Sequence, residues 1–304
     1  MELKDFEMNI IVRSGNSFSY FQCLNEIHSL QNFKLTLSLY ELNDAQVQNL
    51  YNQLGIQQSL TQLSINYLNT YSQLSELAQS LRFCKNLQSL ELNNSSFPKS
   101  IKSLNYISGL KKLSLVIKLN ESNSTDFGFQ LAEIKNISFL NLNLQGEQID
   151  SPALCGIIGQ LKNCIYLTSL QLQIMIRNLN MSQLGQSLCQ IKNLQNLKID
   201  NSFQILESNQ GEEVLSTLQN CKMLKTLDIS FFLGGEYSIN QLFFQSLDQQ
   251  KQIGLQGCQS MTCLKLKVQV QYKDLYKNYL SRQIVNLKKL NRLVSLKAEF
   301  FDIF

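Results

Sequence analysis

A six-residue phrase, L-x-x-L-x-L, returns along this chain and limits what the chain can fold into. It stands at LTQLSI (60–65), LQSLEL (87–92), LKKLSL (110–115), ISFLNL (137–142), LTSLQL (167–172), LQNLKI (194–199), LKTLDI (224–229), MTCLKL (261–266) and LVSLKA (293–298). A degenerate first copy, LTLSL, lies at 35–39. Successive starts are 27, 23, 27, 30, 27, 30, 37 and 32 residues apart. The L-x-L half is a period-two alternation, the mark of a strand with one buried face. The leucine three positions earlier turns inward just before that strand.

Between copies the spacing becomes helical. Leu74, Leu77, Ala78 and Leu81 fall on one helix face, as do Leu184, Leu188 and Ile191, and Val214, Leu215 and Leu218. Ile157, Ile158 and Leu161 form a shorter stripe. This spacing predicts helices of about 8–12 residues. One strand and one helix cannot bury these leucines alone, whereas stacked units build a continuous core. Parallel strands also need crossovers of this kind. The expected fold is an α/β solenoid with ten stacked parallel strands on its concave face and helices on its convex face. Residues 1–34 are expected as an N-terminal cap, continuous with a repeat domain over 35–304. The longest interval marks residues 231–257 as an atypical insertion, with a turn at Gly234-Gly235. The shortest, around Phe97-Pro98, leaves room for one or two helical turns.

The phrase Cys84-Lys85-Asn86-Leu87-Gln88-Ser89-Leu90-Glu91-Leu92 resembles the helix-bearing leucine-rich repeats of the ribonuclease-inhibitor type. Cys164-Ile165-Tyr166-Leu167 and Cys221-Lys222-Met223-Leu224 keep the Cys and the first Leu but lose the Asn. The resemblance covers roughly residues 30–300 and implies a horseshoe that binds other proteins. The family's Asn after the L-x-L strand is kept at Asn93 and Asn143 and replaced elsewhere, so irregular repeats are expected. The Gln/Asn-rich style is also similar to that of repeat proteins predicted in ciliated protozoa.

The chain holds 54 Leu and 64 Asn plus Gln among its 304 residues. Regular leucines separate this chain from a low-complexity amide tract. Its net charge of +4 is unevenly placed: residues 1–152 carry −2, residues 153–304 carry +6, and residues 251–304 alone carry +7. A basic end of this kind steers acidic partners. Four of the eight cysteines, Cys84, Cys164, Cys221 and Cys258, occupy one repeated place, three residues before the first leucine. They are expected as buried, unbridged packing residues, which points to a cytoplasmic or other reducing intracellular compartment. The N-terminal MELKDFEMNIIVRSG does not read as a signal peptide, and no stretch approaches the apolar length of a membrane span.

The single histidine, His28, reads as a structural residue, and one histidine cannot build a His-based metal cluster. No phosphate-binding, metalloprotease or dinucleotide motif is present. No catalytic residue, cofactor or metal is therefore expected, and the chain does not read as an enzyme. Cys263, outward on its strand beside Lys265 and Lys267, reads as a plain exposed thiol. What remains is a surface. The outward strand positions form columns: Ser64, Glu91, Ser114, Asn141, Gln171, Lys198, Asp228, Lys265 and Lys297, flanked by a second running from Asn66 to Lys267 and Glu299. The expected partner-binding residues are Lys198, Lys265, Lys267 and Lys297, with Phe139, Asn141 and Gln171. The expected function is a non-catalytic protein-interaction scaffold or adaptor subunit. The alternative is a binder of nucleic acid or an acidic partner through the basic C-terminal repeats.

Overall fold

A computed structural model describes residues 4–11, 24, 27, 29–38, 44–67, 74–94, 101–119, 121–145, 150–175, 179–206, 217–218, 220–233, 260–270 and 295–302. His28, Val214, Leu215, Cys258 and residues 234–257 of the expected insertion lie outside them. The strands are β1 (Asp5–Ile11), β2 (Asn32–Ser38), β3 (Gln62–Tyr67), β4 (Ser89–Asn94), β5 (Lys112–Lys118) and β6 (Phe139–Gln145). They continue as β7 (Ser169–Met175), β8 (Asn196–Leu206), β9 (Thr226–Leu233), β10 (Cys263–Val270) and β11 (Ser295–Asp302). All join one sheet in strict sequence order, and each neighbouring pair is parallel.

The leucine phrase explains this order. In β5, β6 and β7 alternate residues are buried and half-exposed along each strand. The first L of L-x-L forms one buried column from Leu63 to Leu264, and the second forms another from Ile65 to Leu266. The leucine ahead of each strand is buried as well, from Leu60 to Leu224, with Met261 in the same place. Register is pinned by backbone carbonyls that each take two N–H groups from the next repeat. Gln31 O accepts from Thr61 and Gln62, Thr61 O from Gln88 and Ser89, and Lys225 O from Thr262 and Cys263. The backbone is thus paired before any side chain is considered.

Helices close the other side: α1 (Asp44–Gly55), α2 (Leu74–Leu81), α3 (Glu121–Ala132), α4 (Ser151–Gln160) and α5 (Met181–Leu188). The short interval holds a 3-10 helix, Ile101–Tyr106, as its length required. Local chemistry sets the starts. Asp150 caps α4 by accepting from Ala153 N at 2.8 Å, with Pro152 in the first turn, and Asn180 caps α5 by accepting from Gln183 N at 2.9 Å; these side chains satisfy N–H groups that have no helical partner. Gly55 lets α1 and α2 approach, since a Cβ there would lie 2.7 Å from Ser80 O.

Among the described residues the ladder has eleven strands rather than ten. The extra strand, β1, falls within the segment expected as a cap and pairs with β2 from Asp5↔Asn32 to Ile11↔Ser38. Its inward residues include Phe6 and Met8, which alternate correctly but lack the leucine phrase. Phe6 stacks on Phe33 with ring centroids 5.8 Å apart. Helix α1 was also not among the expected stripes, although Val47, Leu50, Tyr51 and Leu54 follow i, i+3, i+4, i+7 and are all buried.

Candidate functional site: the strand face of the ladder

Because every strand pairs in parallel with its repeat neighbour, the outward residues line up side by side. The middle column runs Glu7, Lys34, Ser64, Glu91, Ser114, Asn141, Gln171, Lys198, Asp228, Lys265 and Lys297. From Ser64 onward this is the column read from the sequence. Neighbouring members sit about 4.8 Å apart, the spacing of hydrogen-bonded strands, so adjacent side chains can bond across repeats.

In the N-terminal and central repeats they do. Lys34 Nζ donates to Glu7 Oε1 at 2.8 Å, and that bond raises the lysine's pKa. Asn32 donates to Asp5 at 2.6 Å. Asn66 donates to Thr36 at 3.2 Å, and Asn93 donates to both Asn66 and Glu91. Val116 interrupts this second column. Beyond it, Asn143 donates to Gln173 at 2.7 Å, while in the middle column Asn141 donates to Ser114 at 2.9 Å. These amides donate mainly to side chains of the adjacent repeat, although Asn93 Oδ1 and Asn143 Oδ1 are buried with no hydrogen-bond partner among the described residues.

The C-terminal repeats differ. A groove of about 250 Å³ opens across β7–β10, lined by Gln171, Lys198, Asp228, Cys263 and Lys265 among others. Thr226 donates to Asn196 at 2.8 Å on its wall. Lys265 Nζ approaches Asp228 Oδ2 only to 4.0 Å, with the lysine side chain half-exposed. Lys198 is exposed and has neither a hydrogen bond nor an ion pair among the described residues. Charge here is thus loosely held.

The structure places the expected contact residues as follows. Gln171, Lys198 and Lys265 meet in the groove. Asn141 is the next step along the same column, and Phe139 stands half-exposed between Lys112 and Ser169 in the flanking one. Lys267 is two residues from Lys265, between Ser230 and Glu299. The Lys297 backbone pairs with Lys265 at the far edge; its side chain lies outside the described residues. Cys263 is half-buried on the groove wall rather than plainly exposed.

The inner end of β8 adds a feature the leucine phrase conceals. Asn201 falls at an inward position, 0% exposed, and neither polar atom of its side chain has a hydrogen-bond partner among the described residues. Pairing with β7 stops at Asp200, and the register with β9 jumps between Asn201 and Ile205. A buried amide that cannot pack like its apolar counterparts sits where the strand bulges.

A second surface was missed. Ile56, Phe83 and Tyr106 are each more than half exposed and each stands four residues before the first leucine of its repeat. Three consecutive repeats therefore carry an apolar stripe along the turns that enter the strands. Arg82 lies over the Phe83 ring, 4.6 Å from its centroid. Its sequence signal is an apolar residue recurring four positions before the first leucine, a place that the leucine columns do not mark. The repeated cysteine place is buried at Cys84, Cys164 and Cys221. Burial pushes the Cys84 thiol up to about 12 and the Cys164 thiol up to about 11.

Among the described residues no cluster of three or more His, Cys, Asp or Glu is placed to hold a metal, and no helix is long and apolar enough to cross a membrane. No family model matches the chain, and no curated protein matches it. Among solved structures the chain is similar to a leucine-rich repeat protein of Leptospira interrogans, at 13% identity over 90% of this chain and 80% of that one, with a TM-score of 0.28. It is also similar to the leucine-rich repeat domain of APL1B, at 13% identity over 86% and 67%, with a TM-score of 0.37. The class itself is defined by the ladder. One parallel strand per repeat, strict sequential order, the L-x-x-L-x-L phrase and a helical outer layer make a leucine-rich-repeat solenoid.

Proposed function

We propose that this chain is a non-catalytic protein-binding scaffold or adaptor subunit whose main contact lies on the strand face, centred on the β7–β10 groove. The observation that carries this reading is the contrast in side-chain commitment. Gln171, Lys198 and Lys265 converge on a recess with loosely held charge, whereas the earlier amides donate to side chains of adjacent repeats. Desolvating a group that already has its partner gains nothing, while an uncommitted charge gains one. Lys267 and Lys297 extend the contact toward the C-terminal rim, and Asn141 and Phe139 extend it toward the centre. The free thiols of the six described cysteines suit a reducing intracellular compartment. The five α-helices among the described residues suit the helix-bearing, ribonuclease-inhibitor-like subtype.

A nucleic-acid ligand on the basic repeats is the weaker reading, because Asp228 stands between Lys198 and Lys265 in one column and breaks any run of positive charge. The test is affinity capture from the native cell at two salt concentrations, with wild type and the Lys198→Glu, Lys265→Glu double variant. We expect the variant to lose a specific protein partner about tenfold or more at low salt. Equal recovery by both proteins at both salts places the contact elsewhere. Salt-sensitive recovery of nucleic acid instead overturns the protein reading.

A further inference from the structure

Among the described members of the repeated cysteine place, Cys84, Cys164 and Cys221, the last differs from the others. At Cys84 and Cys221 the thiol faces the end of the preceding repeat's helix, at the position five residues before that repeat's first leucine. For Cys84 the residue there is Gly55, and the thiol meets backbone, 3.2 Å from Leu54 O and 3.7 Å from Gly55 O. For Cys164 the corresponding residue is Ala132. For Cys221 it is Cys189, the C-cap of α5, and the two sulfurs lie 2.7 Å apart. That is well inside non-bonded contact. Both positions are held by backbone hydrogen bonds: Cys189 N donates to Gly185 O at 3.1 Å and Cys221 N to Leu218 O at 2.9 Å. Cys189 is half-exposed and Cys221 is buried.

We propose that Cys189 and Cys221 form a reversible disulfide when the chain meets a peroxide, stapling the turn after α5 to the next repeat. The two thiols take different parts. Cys189 is the one an oxidant can reach, and the hydrogen bond from Cys221 holds its thiol below the usual range, which favours the reactive thiolate. Its sulfur attacks one peroxide oxygen, the O–O bond breaks, and a sulfenic acid forms as the other oxygen leaves as water. The Cys221 sulfur then attacks the Cys189 sulfur. The S–S bond forms, the S–O bond breaks, and the Cys221 proton leaves with the oxygen as a second water. Two thiols are oxidised and one peroxide is reduced to two waters. Among the described residues Cys84 and Cys164 have no thiol opposite them, and burial disfavours their thiolates. The bridge would tie the segments leading into β8 and β9, which carry Lys198 and Asp228.

The test uses the full chain, reduced and then exposed to a few equivalents of hydrogen peroxide before its remaining thiols are alkylated. Tryptic peptides 178–192 and 199–222 each hold a single cysteine, Cys189 and Cys221. We expect these two peptides to appear joined, lighter by two hydrogens, released by dithiothreitol, and formed before Cys84 or Cys164 is modified. Cys189→Ser, a half-exposed change, should abolish the joined species while leaving the circular dichroism spectrum and the reduced state of Cys221 unaltered. Full alkylation of both cysteines after oxidant, or a bridge from Cys189 to a different cysteine, overturns the proposal.

Discussion

The repeats from β1 to β7 and those from β8 to β10 share a backbone plan but use their outward side chains differently. In the first group Asn66, Asn93, Asn141 and Asn143 bond to neighbours one repeat away. In the second, Lys198, Asp228 and Lys265 occupy equivalent places and hold one another weakly or not at all. A stacked repeat can therefore spend one position on itself or leave it for a partner, with no change in fold. The amide needs a matching acceptor at one strand spacing; the long ammonium reaches past that spacing into solvent. The buried Asn201 and the bulge that follows it mark the boundary between the two groups.

This contrast can be broken first in the core, where the two groups should not differ. Leu142→Ala and Leu227→Ala remove fully packed side chains from the ladder, and each should cost about 2–5 kcal/mol in denaturant unfolding. A negligible cost at Leu227 alone would mean the C-terminal repeats are loosely packed, and the groove would lose its meaning. Asn201→Val should act in the opposite direction, gaining about 1–3 kcal/mol by removing an unsatisfied buried amide. A loss of stability there would show that the amide is satisfied in solution and that the boundary has another cause.

The next comparison uses the partner recovered by affinity capture. Reversal of Lys198 and Lys265 should weaken binding about tenfold, or about 1.4 kcal/mol, and leave the melting temperature nearly unchanged because exposed charges add little to folding. Asn66→Ala with Asn93→Ala should leave capture intact. If the amide pair matters as much as the lysines, the whole strand face is the contact. The smallest effect is expected at Asn143→Ala, which removes the 2.7 Å bond to Gln173 and should cost about 0.5–1.5 kcal/mol. No cost would show that water replaces the ladder bond without loss.

The sequence alone determined which residues share a face and which repeat neighbours stand side by side. The leucine phrase has period two within a strand, and slipping by one residue would turn every leucine outward, so register follows from pattern. Ser64 through Lys297 therefore fall in the column expected of them. Strand β1 escaped because Phe6 and Met8 keep the alternation without the phrase. Only the tertiary structure decided which outward groups are committed to each other, that Cys189 reaches Cys221, and that Ile56, Phe83 and Tyr106 stay exposed. Periodicity fixes the direction in which a side chain leaves the backbone. It does not fix the distance to a group some thirty residues away, which depends on how closely one repeat settles on the next and on the small residues, such as Gly55, that set the approach.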